Sequence, residues 1–127
     1  MSENKEKTKA IKEQKLKIPA RYVANVKAWE AKYGKIKTLA FTEGKDLKVI
    51  FFRKPSRPEL SAAENLASDA DGNMDLYTKA EKMMTDCYLG GDIKLEDILN
   101  DVDYFMPTAK KVLYELVAEK KTVWIDC

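Results

Sequence analysis

The sequence predicts a small α+β domain, mostly helical, with one β-hairpin packed on the helices. Apolar residues recur at helical spacing over most of the chain but alternate with a period of two between residues 35 and 53. The chain has 127 residues, of which 45% are hydrophobic and 35% charged. This composition suits one domain with its own core, and it excludes collagen-like and wholly disordered classes.

The first part of the chain divides into an arm and a helix. Residues 1–17 interleave Lys and Glu with few apolar side chains, so we expect a flexible arm before a single domain over residues 18–127. Pro19 suits the first turn of a helix. That helix has one apolar stripe, made of Tyr22, Val26, Trp29 and Tyr33. Gly34 is expected to end it.

The β-hairpin is expected over residues 35–53. Two alternating runs flank the turn sequence Glu43-Gly44-Lys45-Asp46. The second run ends in Val-Ile-Phe-Phe, so we expect both faces of its strand to be covered. A two-stranded hairpin is marginal in water by itself, and it must therefore pack on helices or pair with another strand.

Four further helices are predicted after the hairpin, over residues 56–70, 73–89, 92–102 and 104–120. The first of them begins at a capping box, with Ser56 as the N-cap and Glu59 three residues inside the helix. Asp92 is expected to cap the third. The tail that follows carries Val123, Trp124 and Ile125, and two placements stay open for it: a short strand beside the hairpin or an anchor on the helices.

The helix over residues 73–89 has the strongest apolar periodicity in the chain, and Gly90-Gly91 is expected to break it. Two interpretations of Met83 and Met84 remain open. A Met stripe at helical spacing is usually core, but unbranched Met side chains also form adaptable grooves for apolar peptides. Tyr77 and Tyr88 lie on the same face and belong to the same two interpretations.

The residue types argue against catalysis. The chain has no His, which removes the commonest general base and the commonest zinc ligand. Cys87 and Cys127 belong to no CxxC motif, and we expect free thiols in a reducing compartment. The carboxylates between residues 92 and 103 fit the solvated face of a helix. We therefore expect a non-enzymatic protein that needs no cofactor and no metal.

Charge and hydropathy indicate where the protein acts and what it binds. Neither a signal peptide nor a membrane span is evident, so we expect a cytoplasmic protein without a membrane partner. The net charge of +2 divides into +9 over residues 1–54 and −7 over residues 55–127. This division favours a protein partner or self-association. The alternative is a nucleic-acid accessory protein that uses the basic half, although six acidic residues interrupt that half.

Three short motifs occur in an order that resembles a known family. Trp29-x-x-x-Tyr33-Gly34 precedes the hairpin, Arg53-Lys54-Pro55-Ser56-Arg57-Pro58-Glu59-Leu60 follows it, and Lys82-Met83-Met84-Thr85-Asp86-Cys87-Tyr88-Leu89-Gly90-Gly91-Asp92 comes later. Over about residues 25–120 this order resembles the tail assembly chaperones of long-tailed bacteriophages and prophages. In that family a strand leads into an Arg-x-Pro-Ser/Thr-x-x-Glu/Asp helix start, and a Cys-containing segment precedes a Gly-Asp turn.

The resemblance implies a non-enzymatic chaperone that coats the apolar, helical tape-measure protein during tail assembly and is absent from the finished virion. The tail tube protein is a second partner that it suggests. The partner-binding residues expected on this basis are Arg53, Arg57, Tyr77, Met83, Met84 and Tyr88, with the two arginines at the charged rim of a groove. The alternative within phage biology is a structural tail-completion or connector subunit, in which hairpins pair between neighbours.

Overall fold

The computed structural model describes residues 17–126. They form five helices and a three-stranded antiparallel sheet, joined by loops and followed by a tail. The class is α+β, as predicted. Most of the expected arm, residues 1–16, and Cys127 lie outside the described residues. The elements are a 3-10 turn (Ala20–Tyr22), α1 (Val23–Tyr33), β1 (Ile36–Glu43), β2 (Asp46–Arg53), α2 (Arg57–Ala67), α3 (Leu76–Cys87), β3 (Tyr88–Gly91), α4 (Leu95–Asn100) and α5 (Val102–Glu115). Within this range, no helix has the length and apolar character that crossing a bilayer requires.

The sheet has the order β1-β2-β3, with β2 in the centre. β1 and β2 form a hairpin inside the predicted range, and their register runs from Ile36 opposite Arg53 to Glu43 opposite Asp46. The turn residue Gly44 has a φ of +60°, a conformation that side chains disfavour. The glycine in the turn and the alternating apolar pattern of the two strands therefore both favour this hairpin.

β3 is a strand that the sequence pattern does not predict. Residues 88–91 were expected to end a helix, but they are extended and pair antiparallel with β2. The pairing is close at Gly91, where a Cβ would lie 2.4 Å from the carbonyl oxygen of Val49 and 2.6 Å from the Cα of Ile50. Gly91 is therefore a glycine because β2 leaves no room for a side chain, in addition to ending the helical pattern.

The sheet is covered on both faces, as the apolar second strand predicts. One face, with Ile50 and Phe52, packs on the helices after the hairpin. This major core consists of Ile50, Phe52, Ala63, Ala80, Met83, Met84, Cys87, Ile93, Ile98, Ala109, Val112 and Leu116. The other face packs on α1. This minor core consists of Val26, Val49 and Phe51, with Tyr22 and Trp29 partly buried against them.

Local signals fix the start of two helices, and one predicted cap is wrong. Ser56 Oγ accepts a hydrogen bond from the Glu59 N–H (3.2 Å), and Glu59 Oε1 accepts one from the Ser56 N–H (3.0 Å), so the predicted capping box forms. Asp75 caps α3. Asp92 caps nothing, because α4 begins later, at Leu95, and the Asp92 carboxylate bonds to distant residues instead.

The tail takes neither of its two predicted placements. α5 ends at Glu115, and residues 118–126 have no helix or strand within the described part of the chain. Val123, Trp124 and Ile125 are 84%, 99% and 85% exposed. Three adjacent large apolar side chains exposed to water indicate a segment that binds another surface.

Candidate protein-binding groove

An apolar groove of about 540 Å³ lies between the start of α3 and the length of α5. Tyr77 and Tyr114 line it and are 54% and 70% exposed. Soluble proteins seldom leave large apolar side chains exposed as a contiguous group unless the group binds something. The lining residues are Met74, Asp75, Leu76, Tyr77, Met106, Ala109, Lys110, Leu113, Tyr114 and Glu115.

The N-cap of α3 holds one wall of this groove. Asp75 Oδ1 accepts hydrogen bonds from the backbone N–H groups of Tyr77 (3.0 Å) and Thr78 (3.4 Å), and the Thr78 hydroxyl donates to Oδ2 at 2.9 Å. The bonds from the Thr78 hydroxyl and N–H hold the pKa of Asp75 below its ordinary value. The cap fixes the first turn of α3, and the Tyr77 ring then packs near Phe105, with ring centroids 6.1 Å apart.

The opposite wall comes from α5. Ala109 is buried, and its small side chain forms the floor of the groove between Met106 and Leu113, which are partly buried. Lys110 and Glu115 add one charge of each sign to the lining. The wall is therefore apolar at its base and charged at its margin, an arrangement typical of sites that bind an amphipathic segment.

Met83 and Met84 do not line this groove. They are 2% and 0% exposed and belong to the major core. The groove interpretation of these two residues is corrected here, because a side chain packed on all sides offers no surface to a partner. Of the six residues expected to bind a partner, Tyr77 alone lies in the groove.

Tyr88 and Arg57 also lie away from the groove. Tyr88 belongs to β3, and its hydroxyl donates a hydrogen bond to the Ile93 carbonyl at 2.5 Å. Its ring packs against Phe52 with centroids 5.9 Å apart, and burial raises the pKa of the phenol. Arg57 is exposed at the first position of α2.

Arg53 joins the end of β2 to α2 and α3. Its guanidinium donates two hydrogen bonds to the Glu59 carboxylate (2.8 and 2.7 Å) and one to the Asp86 carbonyl (2.6 Å). The bonds from Arg53 to the carboxylate, followed by the one from the Ser56 N–H, lower the pKa of Glu59 from its ordinary 4.5 to about 2. Asp86 is nine residues along α3 from Tyr77, or roughly 14 Å at 1.5 Å per residue, so Arg53 is no part of the groove rim.

The Arg-x-Pro-Ser-x-x-Glu motif therefore has a structural explanation in this chain. Arg53 binds Glu59, and Glu59 in turn closes the capping box with Ser56. The three side chains fix the angle at which the polypeptide leaves the sheet and enters α2. A motif selected as a possible binding element is thus a folding element.

Met74, Met106 and Tyr114 are groove residues that the sequence analysis missed. Met106 and Tyr114 fall outside the buried stripe of α5, which includes Ala109 and Val112. The sequence did offer one signal for them, because large apolar residues that lie beside the buried stripe of a helix indicate an exposed apolar surface. Met74 lies inside the predicted helix over residues 73–89, but the helix begins only at Leu76, so the predicted periodicity does not place its side chain.

Comparison of the chain with models of protein families, with curated proteins and with solved structures found no match to any of them. The likeness to tail assembly chaperones is thus carried by the short motifs given above.

Proposed function

We propose that this protein is a non-enzymatic tail assembly chaperone of a long-tailed phage or prophage, and that it binds an apolar helix of the tape-measure protein in the groove between α3 and α5. The observation that carries the proposal is the exposed apolar lining at Tyr77 and Tyr114. The motif order suggests which partner uses it. In this role the protein acts in the host cytoplasm, with the tail tube protein as a second partner.

The dimensions of the groove suit a helix. From Met106 to Tyr114 the α5 wall spans eight residues, or roughly 12 Å, and an amphipathic helix presents anchors at i, i+3 or i+4, and i+7 over a similar length. Met74 and Met106 add unbranched side chains that adapt to different anchors. Such adaptability suits a long partner whose successive turns are similar but not identical.

The chemistry of the partner supplies the reason for a chaperone. A long apolar helix exposed before the tail tube forms around it is an aggregation hazard. Burying one stripe of that helix against the groove, while the charged side chains that make up 35% of the sequence face water, keeps the pair in solution.

Co-expression with the adjacent tape-measure protein tests the proposal. The wild-type chain should keep that protein soluble and co-purify with it. Tyr114→Lys should lower the recovered tape-measure protein roughly tenfold, because a charge replaces an exposed aromatic side chain of the apolar wall. Val23→Lys is the matched control, since Val23 is 41% exposed on α1, on the other side of the sheet.

The two variants should fold alike, because exposed substitutions change the free energy of unfolding by about 0.5 kcal/mol or less. Equal losses of recovery for Tyr114→Lys and Val23→Lys would show that the groove is not the site. A wild-type chain that neither solubilises nor retains the tape-measure protein would contradict the chaperone proposal itself.

A structural tail subunit is the second candidate, and one observation favours it. β1 is at the edge of the sheet and, among the described residues, no strand pairs with its outer side. Hairpin edges of this kind are able to pair between neighbouring subunits. Mass spectrometry of purified virions separates the two functions, because the chaperone is expected to be absent and a subunit to be present in stoichiometric amount.

A further inference from the structure

We propose that two copies of the chain exchange residues 122–126, each adding this segment as an antiparallel strand on the outer edge of β1 in the other copy. The proposal concerns surfaces other than the groove between α3 and α5. It does not depend on the chaperone function, and either one can fail without the other.

The donor segment has the composition of a strand without a sheet to join. Its sequence, Thr-Val-Trp-Ile-Asp, is β-branched or aromatic at four of five positions. Trp124 is 99% exposed, and its two neighbours are exposed nearly as much. A segment of this kind leaves a large apolar area in water, which burial in an interface would remove.

The acceptor is the outer edge of β1. The Val49 N–H donates to the Asp92 carboxylate (2.8 Å), and the Val49 carbonyl accepts from the Asp92 N–H (2.7 Å), so both groups point away from β1. Ala40 lies opposite Val49 in the register. This pair is therefore a non-hydrogen-bonded one, and the N–H and C=O of Ala40 point to the outer edge. By alternation, the same holds for Thr38 and Thr42.

Both faces of β1 have apolar side chains for an added strand to cover. Leu39 and Phe41 pack at the margin of the major core, and Ile36 and Ala40 at the margin of the minor core, all only partly buried. Successive side chains of a strand point to opposite faces. In the donor, Trp124 would therefore cover one margin, and its two neighbours the other.

The charges select the antiparallel direction. Lys35 precedes β1, and Glu43 ends it. In the donor, Lys121 precedes the segment and Asp126 ends it. An antiparallel strand directs Asp126 towards the Lys35 end and Lys121 towards the Glu43 end, whereas a parallel strand directs each charge towards the end that has the same sign.

The short connection after α5 disfavours the chain's own segment in that direction. Lys37 Nζ donates to the Glu115 carbonyl at 2.5 Å, so α5 ends beside the start of β1. An antiparallel strand must enter at Glu43, six residues or about 20 Å further along. Leu116 is buried and its N–H is bonded to Lys111, so only residues 117–121 are free to cover this distance. The six steps from Leu116 to Thr122 reach at most about 22 Å when fully extended, so the straight path uses nearly all of them and none are left to reverse direction.

A second copy can supply a strand that runs antiparallel to β1 and enters at its Glu43 end. Its segment approaches from outside, so its entry at Glu43 is not tied to the place where the acceptor's own α5 ends. Because each copy has one donor and one acceptor, two copies related by a two-fold axis satisfy both, and the assembly closes as a dimer.

Sedimentation of the full chain and two variants tests the exchange. Trp124→Asp removes the apolar anchor of the donor, and Thr38→Pro removes an outward N–H of the acceptor while leaving the bonds between β1 and β2 in place. The wild-type chain should be a dimer, and each variant should raise the dimer dissociation constant by at least about 30-fold. Thr38→Val, which keeps the N–H, is the matched control and should remain a dimer.

Mixing the two variants gives the decisive measurement. Trp124→Asp keeps an intact β1 edge, and Thr38→Pro keeps an intact donor, so a heterodimer has one intact strand pair where each homodimer has none. At a concentration where each variant alone is monomeric, an equimolar mixture should therefore form heterodimers. Far-UV circular dichroism checks that Thr38→Pro folds. If it does not, hydrogen exchange of the wild type replaces it, with the amides of Thr38, Ala40 and Thr42 protected in the dimer and exposed on dilution.

Three results would overturn the proposal. One is a wild-type chain that stays monomeric at about 100 µM, well above the affinity of a specific dimer. Another is a dimer that Trp124→Asp breaks and Thr38→Pro leaves intact, which would mean that the segment docks elsewhere, for example in the groove between α3 and α5. The third is a mixture of the two variants that forms no heterodimer.

Discussion

The two faces of the central sheet are covered by very different amounts of apolar material. The major core has twelve buried residues drawn from β2, four helices and the segments beside them, whereas the minor core has three, drawn from α1 and β2. Burying apolar area is the dominant favourable contribution to folding. The major core therefore contributes much stabilising free energy and the minor core little. Because so little apolar area is buried on its side, α1 needs further interactions to hold it against the sheet.

Asp92 provides that attachment. Its carboxylate accepts hydrogen bonds from the Tyr22 hydroxyl (2.6 Å), the Arg21 guanidinium (2.8 Å) and the Val49 N–H (2.8 Å). Burial alone would raise the pKa of Asp92, but the bonds from Tyr22, Val49 and Arg21 outweigh it and lower the pKa. A few charged hydrogen bonds thus hold the chain before α1 to the sheet at the place where apolar burial is small.

Gly91 is the position where one substitution should damage both faces at once. A Cβ there would approach the Val49 oxygen within 2.4 Å, at a φ of +149°. We expect Gly91→Ala to lower the free energy of unfolding by about 4 kcal/mol, measured by urea denaturation. Gly44→Ala, where nothing lies within 4 Å, is the control and should cost about 1 kcal/mol. Similar losses for the two would contradict the close packing of β3 on β2.

Met84→Ala should have the next largest effect, because it empties part of the major core. Met84 is fully buried, and deletion of such a side chain costs about 3 kcal/mol. Leu66→Ala on α2 is the control, since Leu66 is 61% exposed and should change stability by about 0.5 kcal/mol or less. A loss for Met84→Ala as small as that of the control would mean that this residue faces a groove after all.

The elements that the sequence predicts correctly are those with local causes. The capping box needs only Ser56 and Glu59, and the hairpin needs only the turn and the alternation beside it. β3 has a nonlocal cause, because residues 88–91 become a strand by pairing with β2, and Gly90-Gly91 alone indicates an ending. Asp92 was misassigned for the same reason, since Tyr22 and Val49 lie 70 and 43 positions away in the chain.

The groove was less accessible to prediction than the fold. Tyr77 was selected because it shares a stripe with Met83 and Met84, yet those two residues are buried and Tyr77 is exposed. The same spacing continues past the end of the core, and periodicity does not show where the covering helix stops. Leu76 and Tyr77 in the first turn of α3 are 45% and 54% exposed, whereas the later residues of the stripe in this helix are buried, and only the tertiary packing determines that difference.

Glu59→Gln should have an intermediate effect, because it acts on the connection between the sheet and the major core. We expect a loss of about 2 kcal/mol at pH 7, as Arg53, only 19% exposed, loses its charged partner. Because folding lowers the pKa of Glu59 from 4.5 to about 2, its contribution is complete above pH 4.5 and is lost as the pH falls towards 2. Urea denaturation should therefore show the difference between wild type and variant shrinking over that window.

The control for Glu59 is an exposed pair of the same chemistry. Lys111 and Glu115 are bonded at 2.7 Å, but their side chains are 55% and 58% exposed. Glu115→Gln should cost about 0.5 kcal/mol or less, since water screens such pairs. If Glu115→Gln costs as much as Glu59→Gln, the ion pair between Arg53 and Glu59 stabilises the domain no more than an exposed pair does.

Asp92→Asn should have the smallest effect and the most local one. An amide keeps one acceptor oxygen but loses the charge that attracts Arg21, which is itself 57% exposed, so we expect a cost of about 1 kcal/mol. The cost should appear as roughly five-fold faster hydrogen exchange in α1, with α3 unchanged, because only the minor core depends on this carboxylate. Asp97→Asn on the exposed face of α4 is the control and should alter neither helix. Equal acceleration in α1 and α3 would show that the two cores open together, and that the polar attachment stabilises the whole domain rather than its smaller side.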